Sequence, residues 1–228
     1  MAPPRLVLFD IDGTLIDTGG AGARSWTWAF EHVFGRPGVD IGKFSNAGMT
    51  DPEVARLTFK EVMGREPTGE DLTRLMSGYL SVLPDYVSAS EGYLLLAGVQ
   101  ELLRRLTDMG ILLGITTGAL EAGAHAKLGR VKLNHYFLVG GYGSDSGDRV
   151  ALTRTAIGRG ERLLGGALQP REVTVVGDTP LDIEAAQGVG AVSVAVASGR
   201  YDTEQLAAAN PDHVLGSLSE PFPGVNGN

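Results

Sequence analysis

Two aspartates one residue apart, Asp10 and Asp12, close the apolar run Leu6-Val7-Leu8-Phe9 in the segment Asp10-Ile11-Asp12-Gly13-Thr14. Side chains alternate along a strand, so the two carboxylates start out on the same side and repel unless a cation sits between them. A divalent metal and two acid roles are the chemistry this pairing suggests. A turn is the plainer alternative, because Asp-Gly is a common turn dipeptide and Asp also caps helices. A distant second segment weakens that alternative: Val175-Val176-Gly177-Asp178-Thr179-Pro180-Leu181-Asp182 again puts carboxylates at the mouth of an apolar run. Two strand ends bearing acids point to one shared ion.

Such strand ends need a sheet behind them. From Gly98 onward apolar runs alternate with helical patterns. A helix through Leu102, Leu103 and Leu106 ends at Gly110, and a strand follows at residues 111–115. The pattern then predicts a helix at 121–128, a short strand at 136–139, a helix at 149–164 and a strand at 173–176. Runs at 192–196 and 213–215 complete the set. Repeated β-α-β order implies a doubly wound α/β fold, a mostly parallel sheet with helices on both faces and its chemistry at the carboxyl ends of the strands.

Residues 20–92 read differently, as helices with no alternating strand among them. Trp26, Phe30, Val33 and Phe34 recur at helical spacing, and Thr50-Asp51-Pro52-Glu53 has the form of a capping box with proline at the first helical position. A further helix from Thr68 is expected to break or kink near Pro84. The expected organisation is a catalytic core of residues 1–15 and 93–228 with an inserted α-helical cap of residues 16–92. Gly19, Gly20 and Gly22 lack the spacing of a phosphate-binding or dinucleotide loop and read as a hinge into the insertion.

Composition narrows the function. A chain of 228 residues with 43% hydrophobic content can bury a sizeable core, and its formal charge of −8 disfavours nucleic acid and anionic membranes as partners. The absence of cysteine excludes disulfides, thiolate metal sites and cysteine nucleophiles. His32, His125, His135 and His213 are scattered, which assigns them no metal. With only Met1 to Pro4 ahead of the first strand and no apolar run near the ~18 residues of a membrane span, the expectation is a cytoplasmic protein. The tail from Glu220 to Asn228 is expected to fray.

Taken together, these segments resemble the haloacid dehalogenase superfamily. Asp10-Ile11-Asp12-Gly13-Thr14-Leu15 looks like its first motif, Ile115-Thr116-Thr117-Gly118 its second and Gly177-Asp178-Thr179-Pro180-Leu181-Asp182 its fourth, and Gly48-Met49-Thr50-Asp51-Pro52 is similar to a cap segment of the phosphoglycolate phosphatase-like branch. The resemblance implies a magnesium-dependent phosphatase of small phosphorylated metabolites, monomer or homodimer, working through an aspartyl-phosphate. In that reading Asp10 is the nucleophile and Asp12 the acid and base. Mg²⁺ is held by the Asp10 carboxylate, the Asp12 backbone carbonyl and Asp178, with Asp182 orienting the site or, alternatively, serving only as a helix start. An acid at position 12 argues against a dehalogenase, because halide leaves without a proton.

For the second motif, which holds a phosphate oxygen, Thr117 is preferred to Thr116 because Gly118 follows it. Ala119 departs from a Thr-Gly-Asn version by lacking an amide. The phosphate-neutralising cation is assigned to Arg149, where the family usually has lysine, with Lys127 as runner-up; on bland grounds Lys127 is a solvated helix charge. A phosphosugar mutase of the same superfamily remains the alternative enzyme, and a receiver-like phosphoacceptor domain the alternative outside enzymes.

Overall fold

The computed structural model describes residues 3–225. In chain order it contains β1 (Leu6–Phe9), β2 (Ile16–Asp17), α1 (Ala21–Phe34), α2 (Asp51–Met63), α3 (Gly69–Ala89), β3 (Leu94–Leu95), α4 (Val99–Asp108) and β4 (Leu112–Thr116). There follow α5 (Glu121–Gly129), β5 (Val139–Gly141), α6 (Arg149–Leu164), β6 (Val173–Gly177), α7 (Pro180–Val189), β7 (Val192–Val196), α8 (Thr203–Ala207) and β8 (His213–Leu215). Six strands make one parallel sheet in the order β5-β4-β1-β6-β7-β8.

β1 lies inside this sheet and is buried on both faces. Val7 and Phe9 join a cluster with Leu103 and Leu106 of α4, while Leu6 and Leu8 join Ala156 of α6 and Ala186 of α7. Each large side chain so buried contributes roughly 1.5–3 kcal/mol, which explains why the strand is an unbroken apolar run. The chain leaves β1 for β4 and β5 on one side, then returns to build β6, β7 and β8 on the other. That reversal opens a crevice at the carboxyl ends of β1, β4 and β6.

The helices α1, α2 and α3, between β2 and β3, have a core of their own, in which Trp26, Phe30, Phe59, Leu75, Tyr79 and Leu83 pack together. Trp26 and Tyr79 stack face to face with ring centroids 4.1 Å apart and planes 7° from parallel, an arrangement contributing about 0.5–1.5 kcal/mol beyond burial. β2 and β3 pair antiparallel, Ile16 opposite Leu95 and Asp17 opposite Leu94, so the chain enters and leaves the helical segment side by side.

Several expectations need correction. Pro84 does not break α3, which runs on to Ala89. Leu75, Tyr79, Leu83 and Val87 form one buried stripe, while Pro84 is exposed, so the bond it cannot make falls on the side of the helix away from the core. At α2 the Thr50 hydroxyl accepts from the Glu53 N–H at 3.4 Å without a reciprocal bond, and Pro52 is the second helical residue. The strand expected at 136–139 lies at Val139–Gly141, preceded by a helical turn at Asn134–Tyr136. Glycine hides this strand from propensity, yet Gly141 has α6 backbone packed where a side chain would stand. Nor does the tail fray as far as it is described: Phe222 and Val225 are buried in the main core, and residues 226–228 lie outside the described residues.

Candidate active site

Asp10 is the first residue beyond β1, and its N–H donates to the Val176 carbonyl of β6 at 2.9 Å. That bond fixes a 7% exposed carboxylate at the crevice. Asp178 is the first residue beyond β6 and is 3% exposed. Ligand oxygens of Asp10, Asp178 and Asp182 all lie within 4.8 Å of one another. None of the four histidines belongs to a metal-competent cluster among the described residues.

The electrostatics of the cluster favour a cation. Burial raises the Asp10 carboxyl, an effect opposed by Arg149 and reinforced by the Asp12 charge. Asp178 is pushed up to about 7, first by burial and then by the charge of Asp10, while the Thr14 hydroxyl, 3.1 Å from its Oδ1, draws it back. Two buried carboxylates, both raised by burial and one raised further by the other, fit a hard divalent ion. Gly13 has φ +87°, and a Cβ there would run into the Asp178 carboxylate, so the loop after β1 needs glycine for both backbone and space.

Asp182 has both oxygens engaged. Oδ2 accepts from the Thr179 N–H at 3.1 Å and the Thr179 hydroxyl at 2.6 Å, closing a capping box at the start of α7, and Oδ1 accepts from Nη2 of Arg149. Arg149, the first residue of α6, also brings Nη1 to 3.5 Å from Oδ1 of Asp10. Its buried Nε has no hydrogen-bond partner among the described residues, leaving one donor for an anion.

Asp12 stands apart from the acidic cluster. Its carboxylate turns to Lys127 of α5, whose Nζ is 2.5 Å away. Lys127 is only 5% exposed, so the solvated-helix alternative does not describe it. Thr117 follows β4; its N–H donates to the Gly141 carbonyl at 3.0 Å, and its hydroxyl is near enough to Asp10 to help draw that carboxyl down. Thr116 instead shares a 2.7 Å bond with Thr153 of α6, wholly buried, as ordinary strand content.

Asp51, read from the sequence as part of a helix start and of a cap-like segment but given no role, joins the helical segment to the site. Its N–H donates to the Gly118 carbonyl at 2.7 Å, and its Oδ2 accepts from the Leu120 N–H at 2.9 Å. A Cβ on Gly118 would come within 2.6 Å of the Met49 carbonyl, so glycine lets the two segments meet. Trp26, whose spacing reads as helical, and Tyr79 also line the cleft above the acids, a space of about 480 Å³ that includes Asp12, Asp51, Lys127 and Asp178. A wider depression of about 610 Å³ beside β5, lined by Glu121, His125 and Arg159 among others, contains none of Asp10, Asp12, Asp178 and Asp182.

Comparison with known proteins agrees with this geometry. A family model described as haloacid dehalogenase-like hydrolase matches residues 4–190. A phosphoglycolate phosphatase of Synechococcus elongatus is 29% identical over 221 residues, covering 95% of this chain and 94% of the relative. Among solved structures, a predicted phosphoglycolate phosphatase from Haemophilus somnus superimposes with TM-score 0.74 at 20% identity, covering 96% of each chain. A β-phosphoglucomutase from Clostridium difficile gives 0.73 at 19%, covering 96% of this chain and 92% of its own. At these identities the structures speak to the fold alone. With the family model spanning the acids at both strand ends, the chain belongs to the haloacid dehalogenase-like hydrolases.

Proposed function

We propose that this protein is a Mg²⁺-dependent phosphatase that hydrolyses small phosphomonoesters through an aspartyl-phosphate on Asp10. The observation that carries the reading is the convergence of buried Asp10, Asp178 and Asp182, with Arg149 bonded into the same cluster. The curated relatives named phosphoglycolate phosphatase support the reaction class.

Asp10 and Asp178, with the Asp12 backbone carbonyl, would hold the ion, and Asp182 would orient the site through Arg149 and Thr179. When bound, Mg²⁺ supplies charge neutralisation for the phosphate and the carboxylates around it. Asp10, held by its strand-end bond, attacks phosphorus in line; as its oxygen bonds to phosphorus, the bond to the leaving oxygen breaks. Asp12 protonates that oxygen, then takes a proton from the water that cleaves the acyl-phosphate. Thr117 and the Gly118 N–H hold one phosphate oxygen. Arg149 offers its unpartnered Nε to another, and Lys127 fixes the Asp12 side chain. Residues 16–92 act as the cap over a core of residues 1–15 and 93–228, excluding water when the cleft is closed.

The test is turnover of p-nitrophenyl phosphate and a panel of metabolite phosphates with Mg²⁺ and with EDTA. Activity is expected only with the metal, and Asp10→Asn is expected to reduce it by on the order of 10³-fold or more. Undiminished turnover in EDTA or in that variant would sink the assignment. Product analysis with a sugar bisphosphate primer separates hydrolysis from phosphoryl return.

A further inference from the structure

Resting on the phosphatase reading, we infer that the leaving group of the substrate carries no negative charge and presents hydrogen-bond donors, hydroxyl or ammonium, to the helical wall of the cleft. The residues that line the cleft from the helical segment include Asp17, Asp40 and Asp51 and contain no lysine, arginine or histidine. The remaining lining supplies only two basic residues, Lys127 and Arg200. Burial raises the Asp51 carboxyl, and Lys127, already committed to Asp12 at 2.5 Å, only partly offsets that, so a single cation serves two carboxylates. Arg200 is exposed on the loop after β7.

Tyr79 gives the second, independent indication. It is 1% exposed, lines the cleft, and its hydroxyl has no hydrogen-bond partner among the described residues. Burial first, then the charges of Asp51 and Asp12 outweighing Lys127, keep it protonated. Its hydroxyl opens to the cleft, where it can accept a hydrogen bond from a ligand's donor as well as give one. Asp51, Tyr79 and Lys127 thus gather around Asp12, the residue assigned to the leaving oxygen. A hydroxyl or ammonium group there meets carboxylate acceptors, a phenol and the Trp26–Tyr79 aromatic wall. A carboxylate there, as in phosphoglycolate, meets like charge in a partly buried site.

The experiment compares kcat/KM, with Mg²⁺, for three probes of similar size: 2-phosphoglycolate, glycerol 1-phosphate and phosphoethanolamine. The better of the last two is expected to exceed 2-phosphoglycolate by on the order of a hundredfold. Asp40→Asn and Asp51→Asn, which keep an acceptor oxygen for the Gly42 and Leu120 N–H groups, are each expected to narrow that ratio by about tenfold. The ratio is internal to each variant, so a general loss of activity does not affect it. Calorimetric binding of the same probes to Asp10→Asn, without turnover, should rank them identically. Equal or better use of 2-phosphoglycolate by the unaltered protein overturns the inference; loss of that preference in Arg200→Ala would then identify Arg200 as its anchor. Failure to hydrolyse any probe, p-nitrophenyl phosphate included, would refute the phosphatase reading instead.

Discussion

Lys127 and Arg149 divide the positive charge of the site between two aspartates, one at each strand-end position of the first motif. Arg149 reaches Asp10 and Asp182 from the buried side, whereas Lys127 holds Asp12 at the cleft. The sequence identified both cations and asked which one neutralises phosphate; it could not show that each has its own carboxylate, because the two lie on helices whose packing decides their reach. On the proposed role of Arg149 as a donor to the phosphoryl group, Arg149→Ala should lower kcat/KM by on the order of 10² to 10³. Lys127→Ala should lower kcat with little change in KM, since Asp12 then loses its orientation while the phosphate contacts remain. Steady-state kinetics with p-nitrophenyl phosphate separates the two. An Arg149→Ala enzyme of full activity beside an inactive Lys127→Ala enzyme would reverse the roles. Thr14 and Asp51 escaped assignment for a related reason: each sat in a quoted motif, but its partner is more than sixty residues away.

At the level of elements, legibility followed burial pattern. The strands at 192–196 and 213–215 are where apolar runs put them, and α6 begins and ends where the helical pattern puts it. Where glycine carries a strand, as at Gly140 and Gly141, or where a proline sits on the solvent face of a packed helix, local propensity misleads because tertiary packing decides. The capping box read at Thr50 is only half made, whereas the full one, at the start of α3, was not read as such. In α3 the Thr68 hydroxyl accepts from the Asp71 N–H at 3.1 Å and Asp71 answers with a bond from the Thr68 N–H at 2.8 Å. Thr68→Ala should cost about 1 kcal/mol, a fall in Tm of roughly 2–4 °C by thermal melt, with kcat unchanged. Gly118→Ala acts at the other kind of junction: its Cβ would press on the Met49 carbonyl, so KM should rise several-fold as the helical segment is pushed from the loop after β4.

For the whole molecule, the buried acids link metal, proton and stability. Asp178 is held up to about 7 by burial and by Asp10, above its ordinary value of 3.8. A carboxyl raised on folding favours the folded state fully below its unfolded pKa, and that contribution is lost as pH rises from about 4 through about 7. The metal-free protein should therefore lose stability over that window, and Mg²⁺, which competes with the proton for the same oxygens, should restore it. The rise in Tm on replacing EDTA with Mg²⁺ should be larger at pH 7.5 than at pH 5.5. An equal rise at both would separate metal binding from these carboxyls. The helical character of the segment from α1 to α3 was legible because its apolar spacing never adopts a period of two. Its position over the acids depends on contacts such as Asp51 to Gly118, which no local pattern announces.

The central claim, that Asp10 carries the phosphoryl group between two half-reactions, is tested most directly by rapid quench with a ³²P-labelled phosphomonoester in the presence of Mg²⁺. Acid-stable, hydroxylamine-labile label should appear on the protein and map to the peptide containing Asp10, and it should be absent from Asp10→Asn. Label that never appears while substrate is consumed, or that maps to another residue, would contradict the account.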